Sequence, residues 1–186
     1  MSATSPTIGA QPSDTDDVLG RSRSHATMPP SSFWRRILST QPSVGLTIGR
    51  LALGLILLPH AFQKVFGAFG GYGWNGTYAF FVQDLHIPGA LAALAIIVEF
   101  ASAIALVLGL FTRLAALGVM AIMGGAIYWV HANYGFFMNW YGQKAGEGFE
   151  YHLLAIALAV VLFALGGGSA SFDRALSSTR IRTRAY

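Results

Sequence analysis

Glu99 is an acidic residue inside a long apolar run, LAALAIIVEFASAIALVLGLFTR at 91–113. An ionised carboxylate in hydrocarbon costs a few kcal/mol or more, so we expect it to face other helices and to be paired or protonated. Arg50 and His60, which belong to an earlier apolar run, are its candidate partners. Two roles stay open for Glu99: a structural ion pair between two helices, or the uptake and release of protons.

Further polar residues stand near the ends of apolar runs, and they are candidates for binding a ligand. His60 and Lys64 are one helical turn apart, and His131 and His152 belong to two later runs. Because the histidine spacing contains no His-x-x-x-His or Glu-x-x-His pair, it disfavours haem and predicts no metal site. Histidine hydrogen bonding near the membrane surface is the preferred interpretation. The predicted ligand-binding set is Arg50, Lys64, Tyr128, His131, Glu150 and His152, with Glu99 and His60 as the predicted catalytic, proton-relaying pair.

The elements that must hold these residues follow from composition. Of the 186 residues, 54% are hydrophobic and only 11% are charged, against about 25% charged in soluble domains. Four apolar stretches, at 44–63, 89–111, 114–134 and 149–166, approach or exceed the ~20 residues of a membrane-spanning helix. They are continuous and not alternating, which indicates helices and not a barrel. The sequence predicts an all-α, multi-pass protein of the cell membrane, a bundle of four transmembrane helices in the lipid bilayer.

Basic residues predict how this bundle is oriented. Arginines precede the first apolar stretch, follow the last one, and occupy the short turn at Arg113, whereas the other two loops contain only Lys64 and Lys144. The positive-inside rule then places both termini in the cytoplasm and the loops 63–88 and 135–148 outside. We predict a disordered tail at 1–42, a membrane domain at 43–176 and a basic tail at 177–186.

The two outer loops are rich in glycine and aromatic residues: FGAFGGYGWNGTYAFFVQDLHIPG and GFFMNWYGQKAGEGFEYH. One interpretation is an aromatic belt at the membrane surface, and the other is a lid folded over the bundle.

Several functions are excluded by what the sequence lacks. The chain has no cysteine, so it cannot hold a cysteine-ligated iron–sulfur cluster or perform thiol chemistry by itself. It has no Walker A loop, dinucleotide fingerprint or nucleophile elbow. Its basic residues form no nucleic-acid-binding motif.

The chain resembles the DoxX-like family of membrane proteins. The resemblance rests on GRLALGLILLPHAFQKVFGAF, IVEFASAIALVLGLFTRLAALGVMAIMGGAI and GFEYHLLAIALAVVLFALGGGSASFDRAL, and it spans 43–176. The ordered residues that support it are Arg50, His60, Lys64, Glu99, Gly109, Arg113, Glu150, Tyr151 and Asp173. The resemblance implies a four-helix membrane fold and an association with respiratory or sulfur-linked redox chemistry.

Our leading hypothesis is a membrane subunit of a quinone-linked or sulfur-linked redox complex. Glu99 and His60 would relay protons to a quinone in the outer half of the bundle, with Tyr128 and His131 lining the cleft. Electrons would come from a partner protein, and the chain could also form homo-oligomers. The alternatives are a transporter of small solutes or lipids and a scaffold without catalytic activity.

Overall fold

The computed structural model describes residues 33–182, and within them it contains seven α-helices and no strand. The side chains are described for residues 36–177. The predicted tail residues 1–32 and 183–186 lie outside the described residues. The helices are α1 (Phe33–Leu38), α2 (Val44–Phe66), α3 (Gly73–Ala79), α4 (Gly89–Leu108), α5 (Thr112–Ala126), α6 (Glu150–Leu165) and α7 (Phe172–Arg182).

Three helical segments are long and apolar enough to cross a membrane: Val44–Phe66, Gly89–Leu108 and Thr112–Tyr134. The third continues from α5 through a π-helical turn, Ile127–His131, and a 3-10 turn, Ala132–Tyr134. These segments confirm a multi-pass, all-helical membrane protein. Helix α6 is apolar but only 16 residues long, about 24 Å at ~1.5 Å per residue, so a fourth span remains a prediction.

The helices pack in sequence order around a core of leucine and small residues. α4 contacts both α2 and α5, and α6 contacts α5 and, less extensively, α2. Alanines such as Ala103, Ala116 and Ala159 are fully buried, and they let helix backbones approach closely. This core fixes the faces of α2, α4 and α6 that point towards one another.

We call the end of the packed helices that contains α1, α7 and the 109–111 turn the terminal side. Arg50 holds this end together. This side chain is only 1% exposed. Its Nε donates to the carbonyl of Gly167 at 3.0 Å and its Nη2 to that of Ala170 at 2.6 Å. Nη1 donates to the carbonyl of Val107 at 2.9 Å and to that of Leu106. Arg50 therefore supplies donors to the carbonyls of the last turn of α4, where i→i+4 partners run out, and the carbonyl of Leu106 also accepts from the backbone N–H of Gly109.

Two more residues complete the terminal side. Arg113 donates to the carbonyls of Phe163 and Ala164 at the end of α6, so it caps that helix as Arg50 caps α4. Asp173 accepts hydrogen bonds from the backbone N–H groups of Phe111 and Thr112, at 2.7 and 2.8 Å. A carboxylate in this position is favourable because the N-terminus of α5 has unpaired donors and a positive dipole end.

The structure differs from the predicted domain boundaries at both ends. Residues 33–38, assigned to the N-terminal tail, form α1, which contacts α5 and α7, and Leu38 is buried. Residues 177–182, assigned to the basic tail, belong to α7. Residues 33–38 differ from the prediction because the burial of Leu38 stabilises α1 through tertiary packing. The polar composition of the tail does not indicate this packing.

The opposite end, here called the loop side, consists of the segments 67–88 and 135–149. The first contains α3 and a π-helical turn, Phe80–Asp84, where a loop was predicted. Most aromatic side chains here are exposed, among them Phe69, Tyr72, Trp140 and Tyr141. This exposure favours the belt over the lid interpretation for those side chains.

Candidate functional site

The side chains of Glu99 and Lys64 form an ion pair between α4 and α2. The Nζ of Lys64 lies 2.5 Å from Oε1 of Glu99. Glu99 is 6% exposed, whereas the Lys64 side chain is 32% exposed. Lys64 lies in the last turn of α2, where its long side chain can reach the buried carboxylate while its stem lies along apolar surface. The predicted pairing of Glu99 with another helix is thus present, with a different partner.

The structure corrects both predicted partners of Glu99. Arg50 precedes Lys64 by fourteen residues on α2, which places it about 21 Å away along the helix axis at ~1.5 Å per residue. Its guanidinium is occupied by backbone carbonyls on the terminal side. His60 is exposed. Sequence spacing gives the depth of a residue but not the rotation of its helix, so Lys64 could not be singled out beforehand.

Two side chains of α6 complete a buried polar cluster with the ion pair. Tyr151 lies close enough to Glu99 for the two groups to interact electrostatically, and its buried hydroxyl has no hydrogen-bond partner among the described residues. His152 is 8% exposed, and its Nδ1 is also buried and unpartnered within that part of the chain. Buried polar atoms normally have a partner, so two unpaired ones beside a charge pair indicate space for another polar group. We call Lys64, Glu99, Tyr151 and His152 the polar cluster.

His131 connects the polar cluster to the loop side. Its ring stacks on that of His152 with centroids 4.1 Å apart. Its Nδ1 lies 2.8 Å from the carbonyl oxygen of Glu147. Because a carbonyl only accepts hydrogen bonds, the Nδ1 of His131 must donate, and Nε2 is the atom that can take up a further proton. The π-helical turn Ile127–His131 fixes the direction of this ring, and such turns are frequent at functional sites.

The structure does not bring two of the predicted site residues into the cluster. Tyr128 is 74% exposed and lies edge-on against Trp129. The carboxylate of Glu150 accepts hydrogen bonds from the backbone of Met138 and from Nε1 of Trp140, so it holds the 135–149 segment in place. Tyr151, which sequence reasoning included only in the family resemblance, is the residue it missed. A tyrosine beside a predicted helix start was a weak signal because many membrane helices have one there.

Two surface cavities lie away from the polar cluster. One, of about 470 Å³, is on the terminal side and is lined by Leu108, Arg174 and neighbouring residues of 169–175. The other, of about 220 Å³, is a wholly apolar groove between α2 and α4, lined by residues that include Leu58, Phe62 and Ile104. The larger cavity contains a single charged side chain, so the titratable chemistry is concentrated in the polar cluster instead. Across residues 33–182 no three histidine, aspartate or glutamate side chains converge as a metal site would require.

The polar cluster can bind a small polar head group and exchange protons with it. It offers a cation, a carboxylate, a hydroxyl and an imidazole, all between α2, α4 and α6. An acid and a base of this kind in a low-dielectric setting are suited to proton transfer. The adjacent aromatic pair Phe62 and Phe100, with ring centroids 5.8 Å apart, keeps the neighbouring surface apolar.

Comparison with known proteins agrees with the resemblance seen in the sequence. The family model of DoxX matches residues 45–132, which include α2, α4 and α5. The match ends before α6, so the stretch 133–176 of the sequence resemblance lies outside it. No curated protein and no solved structure matches the chain. This multi-pass membrane protein therefore contains a stretch, residues 45–132, that matches the DoxX family model and includes α2, α4, α5 and the segments between them.

Proposed function

We propose that the protein is a membrane subunit of a redox complex and that the polar cluster binds the head group of a quinone. The observation that supports this most directly is the pair of buried, unpartnered atoms, the Tyr151 hydroxyl and the Nδ1 of His152, beside the Lys64–Glu99 ion pair. A quinone head presents two carbonyl oxygens, which accept hydrogen bonds from such donors. The residues present therefore fit this ligand.

The residues of the cluster would have distinct roles. A bound quinone supplies redox chemistry in which two electrons and two protons convert it to the quinol. Tyr151 donates a hydrogen bond to the head group, and Lys64 holds positive charge beside it. Glu99, paired with Lys64, would take up a proton delivered by way of His152 and pass it to the head group. Glu99 and His152 are buried, so little reorganisation would accompany the transfer.

An apolar surface outside the polar cluster could hold the hydrocarbon tail of such a ligand. The apolar groove between α2 and α4 is lined by side chains of the same two helices that provide Lys64 and Glu99. Apolar lining with a few convergent polar groups is the usual composition of a ligand site.

The chain needs an electron donor from outside. It has no cysteine, so no cysteine-ligated cluster or thiol of its own can deliver electrons. A partner protein with a thiol, flavin or cluster would supply them, and the complex would be placed in the cell membrane with both termini cytoplasmic, as the loop charges predict.

Quinone binding to purified protein tests the proposal. Lipids extracted from the protein in mild detergent are separated by chromatography, and binding of a short-tailed quinone is titrated by quenching of the four tryptophans. We expect Tyr151→Phe to weaken binding about tenfold, because a buried hydrogen bond contributes about 1–1.5 kcal/mol. Tyr128→Phe is the matched control and should bind as the wild type does, since Tyr128 is on the surface.

Two results would contradict the proposal. One is wild-type protein that neither retains quinone nor shows saturable quenching. The other is equal binding by the Tyr151→Phe and Tyr128→Phe variants. Solute uptake into proteoliposomes that depends on Glu99, in the absence of quinone binding, would show a transporter instead.

A further inference from the structure

We infer that the polar cluster exchanges protons and water with the loop side of the membrane alone, through His131 and His152. The biological purpose of this exchange rests on the proposed function, because a quinone site must obtain its protons from one aqueous phase or the other. The route itself follows from where titratable groups occur in the described residues.

On the loop side, titratable groups form a series. The Lys64 side chain is partly exposed and touches Glu99 directly. Lys64 in turn acts electrostatically on His152. The ring of His152 is in contact with that of His131, whose Nδ1 reaches the backbone carbonyl of Glu147 in the 135–149 segment. Groups that can gain or lose a proton therefore lie between the buried carboxylate and the loop.

The groups that face His152 come from three elements. His60 and Lys64 of α2 and His131 after α5 all act on it electrostatically. On its own helix, the ring of Tyr151 lies edge-on to it with centroids 5.6 Å apart. His60 is exposed and the Lys64 side chain is partly exposed on the surface of the described residues.

On the terminal side, the series stops. Below Glu99 the helix interior is filled by apolar side chains, including Leu53, Leu57, Leu106 and Leu162, all nearly or fully buried. Ser102 is the polar side chain in this layer of the described residues, and a hydroxyl alone holds no charge. Proton movement through such a dry layer is unfavourable because each charge would lose its hydration.

Arg50 closes the layer from below. Its guanidinium donates to the carbonyls of Val107, Gly167 and Ala170 as well as Leu106, and an arginine does not release its proton at ordinary pH. The buried carboxylate of Asp173 lies close enough to interact with this charge electrostatically. The barrier on the terminal side is therefore the apolar layer.

Single-cysteine labelling tests this sidedness, because the chain has no cysteine of its own. The variants His152→Cys and Ser102→Cys are placed in sealed proteoliposomes. They are treated with a charged, membrane-impermeant methanethiosulfonate from one side or the other. Gln143→Cys, exposed in the loop segment, and Ala170→Cys, exposed on the terminal side, report which side is which. Size-exclusion chromatography shows which variants are folded, and His131→Cys replaces His152→Cys if the latter is not.

We expect His152→Cys to react from the loop side, within about a hundredfold of the rate of Gln143→Cys, and not from the terminal side. Ser102→Cys should react from neither side. Reaction of either buried cysteine from the terminal side, or failure of His152→Cys and His131→Cys to react from the loop side, would overturn the inference. Labelling is measured without quinone, so loss of quinone binding alone would contradict only the proposed function.

Discussion

The asymmetry of the Lys64–Glu99 pair makes a prediction about stability. Lys64→Met removes the cation and leaves a carboxylate that is 6% exposed, whereas Glu99→Gln leaves an ammonium whose side chain is 32% exposed and can turn to water. Breaking a buried pair by removing one partner costs about 3–5 kcal/mol when the remaining charge is trapped. A remaining charge that reaches solvent costs far less, about 1 kcal/mol. We therefore expect Lys64→Met to be much the more destabilising substitution.

The assay is reversible unfolding in mixed detergent micelles at pH 7, followed by circular dichroism. The double variant Lys64→Met/Glu99→Gln should recover most of the stability lost in Lys64→Met, because no charge then remains buried. Equal losses in the two single variants, or losses that simply add in the double variant, would refute the reasoning.

Three further predictions concern the terminal side and use the same unfolding assay. Arg50→Gln should lower the free energy of unfolding by at least about 3 kcal/mol, because several buried carbonyls lose their donor. The control Arg174→Gln, at an exposed position, should change it by less than about 0.5 kcal/mol. Equal effects of the two substitutions would contradict the capping role of Arg50. Asp173→Asn should cost about 1–2 kcal/mol, since a neutral amide cannot match the two charge-assisted hydrogen bonds of the carboxylate; an unchanged midpoint would show that the charge is unimportant. Gly109→Ala should cost more than about 1 kcal/mol, because its φ is +69° and an added Cβ would lie 2.7 Å from Cβ of Ser171; a neutral effect would mean that the 109–111 turn relaxes.

Helix positions were predictable to within a few residues because apolar runs are long and uninterrupted. The predicted run 89–111 corresponds to α4 at Gly89–Leu108, and 149–166 corresponds to α6 at Glu150–Leu165. The predicted and observed helix ends differ where a glycine ends the helix. Gly109 takes a left-handed conformation, which could not be predicted from the apolar run that contains Glu99. Helix α3 was not predicted because its seven residues, GWNGTYA, have a composition typical of a loop.

The site was only partly predictable, for a geometric reason. Glu99 and the histidines stand out in sequence because charge is rare in lipid. Which of them meet depends on helix rotation and side-chain length, and this is why Lys64 and not Arg50 reaches Glu99. The burial of the Tyr151 hydroxyl and its electrostatic interaction with Glu99 depend on where α6 lies relative to α4, which no local pattern encodes.

The acceptors of Arg50 emerge from the ribosome at very different times. Arg50 is synthesised before all of them, Leu106 and Val107 follow, and Gly167 and Ala170 come some sixty residues later still. Because chains fold as they are made, from the N-terminus onwards, the guanidinium stays incompletely bonded until residues 167–170 arrive. A chain truncated before Gly167 would therefore expose an incompletely bonded arginine to membrane quality control.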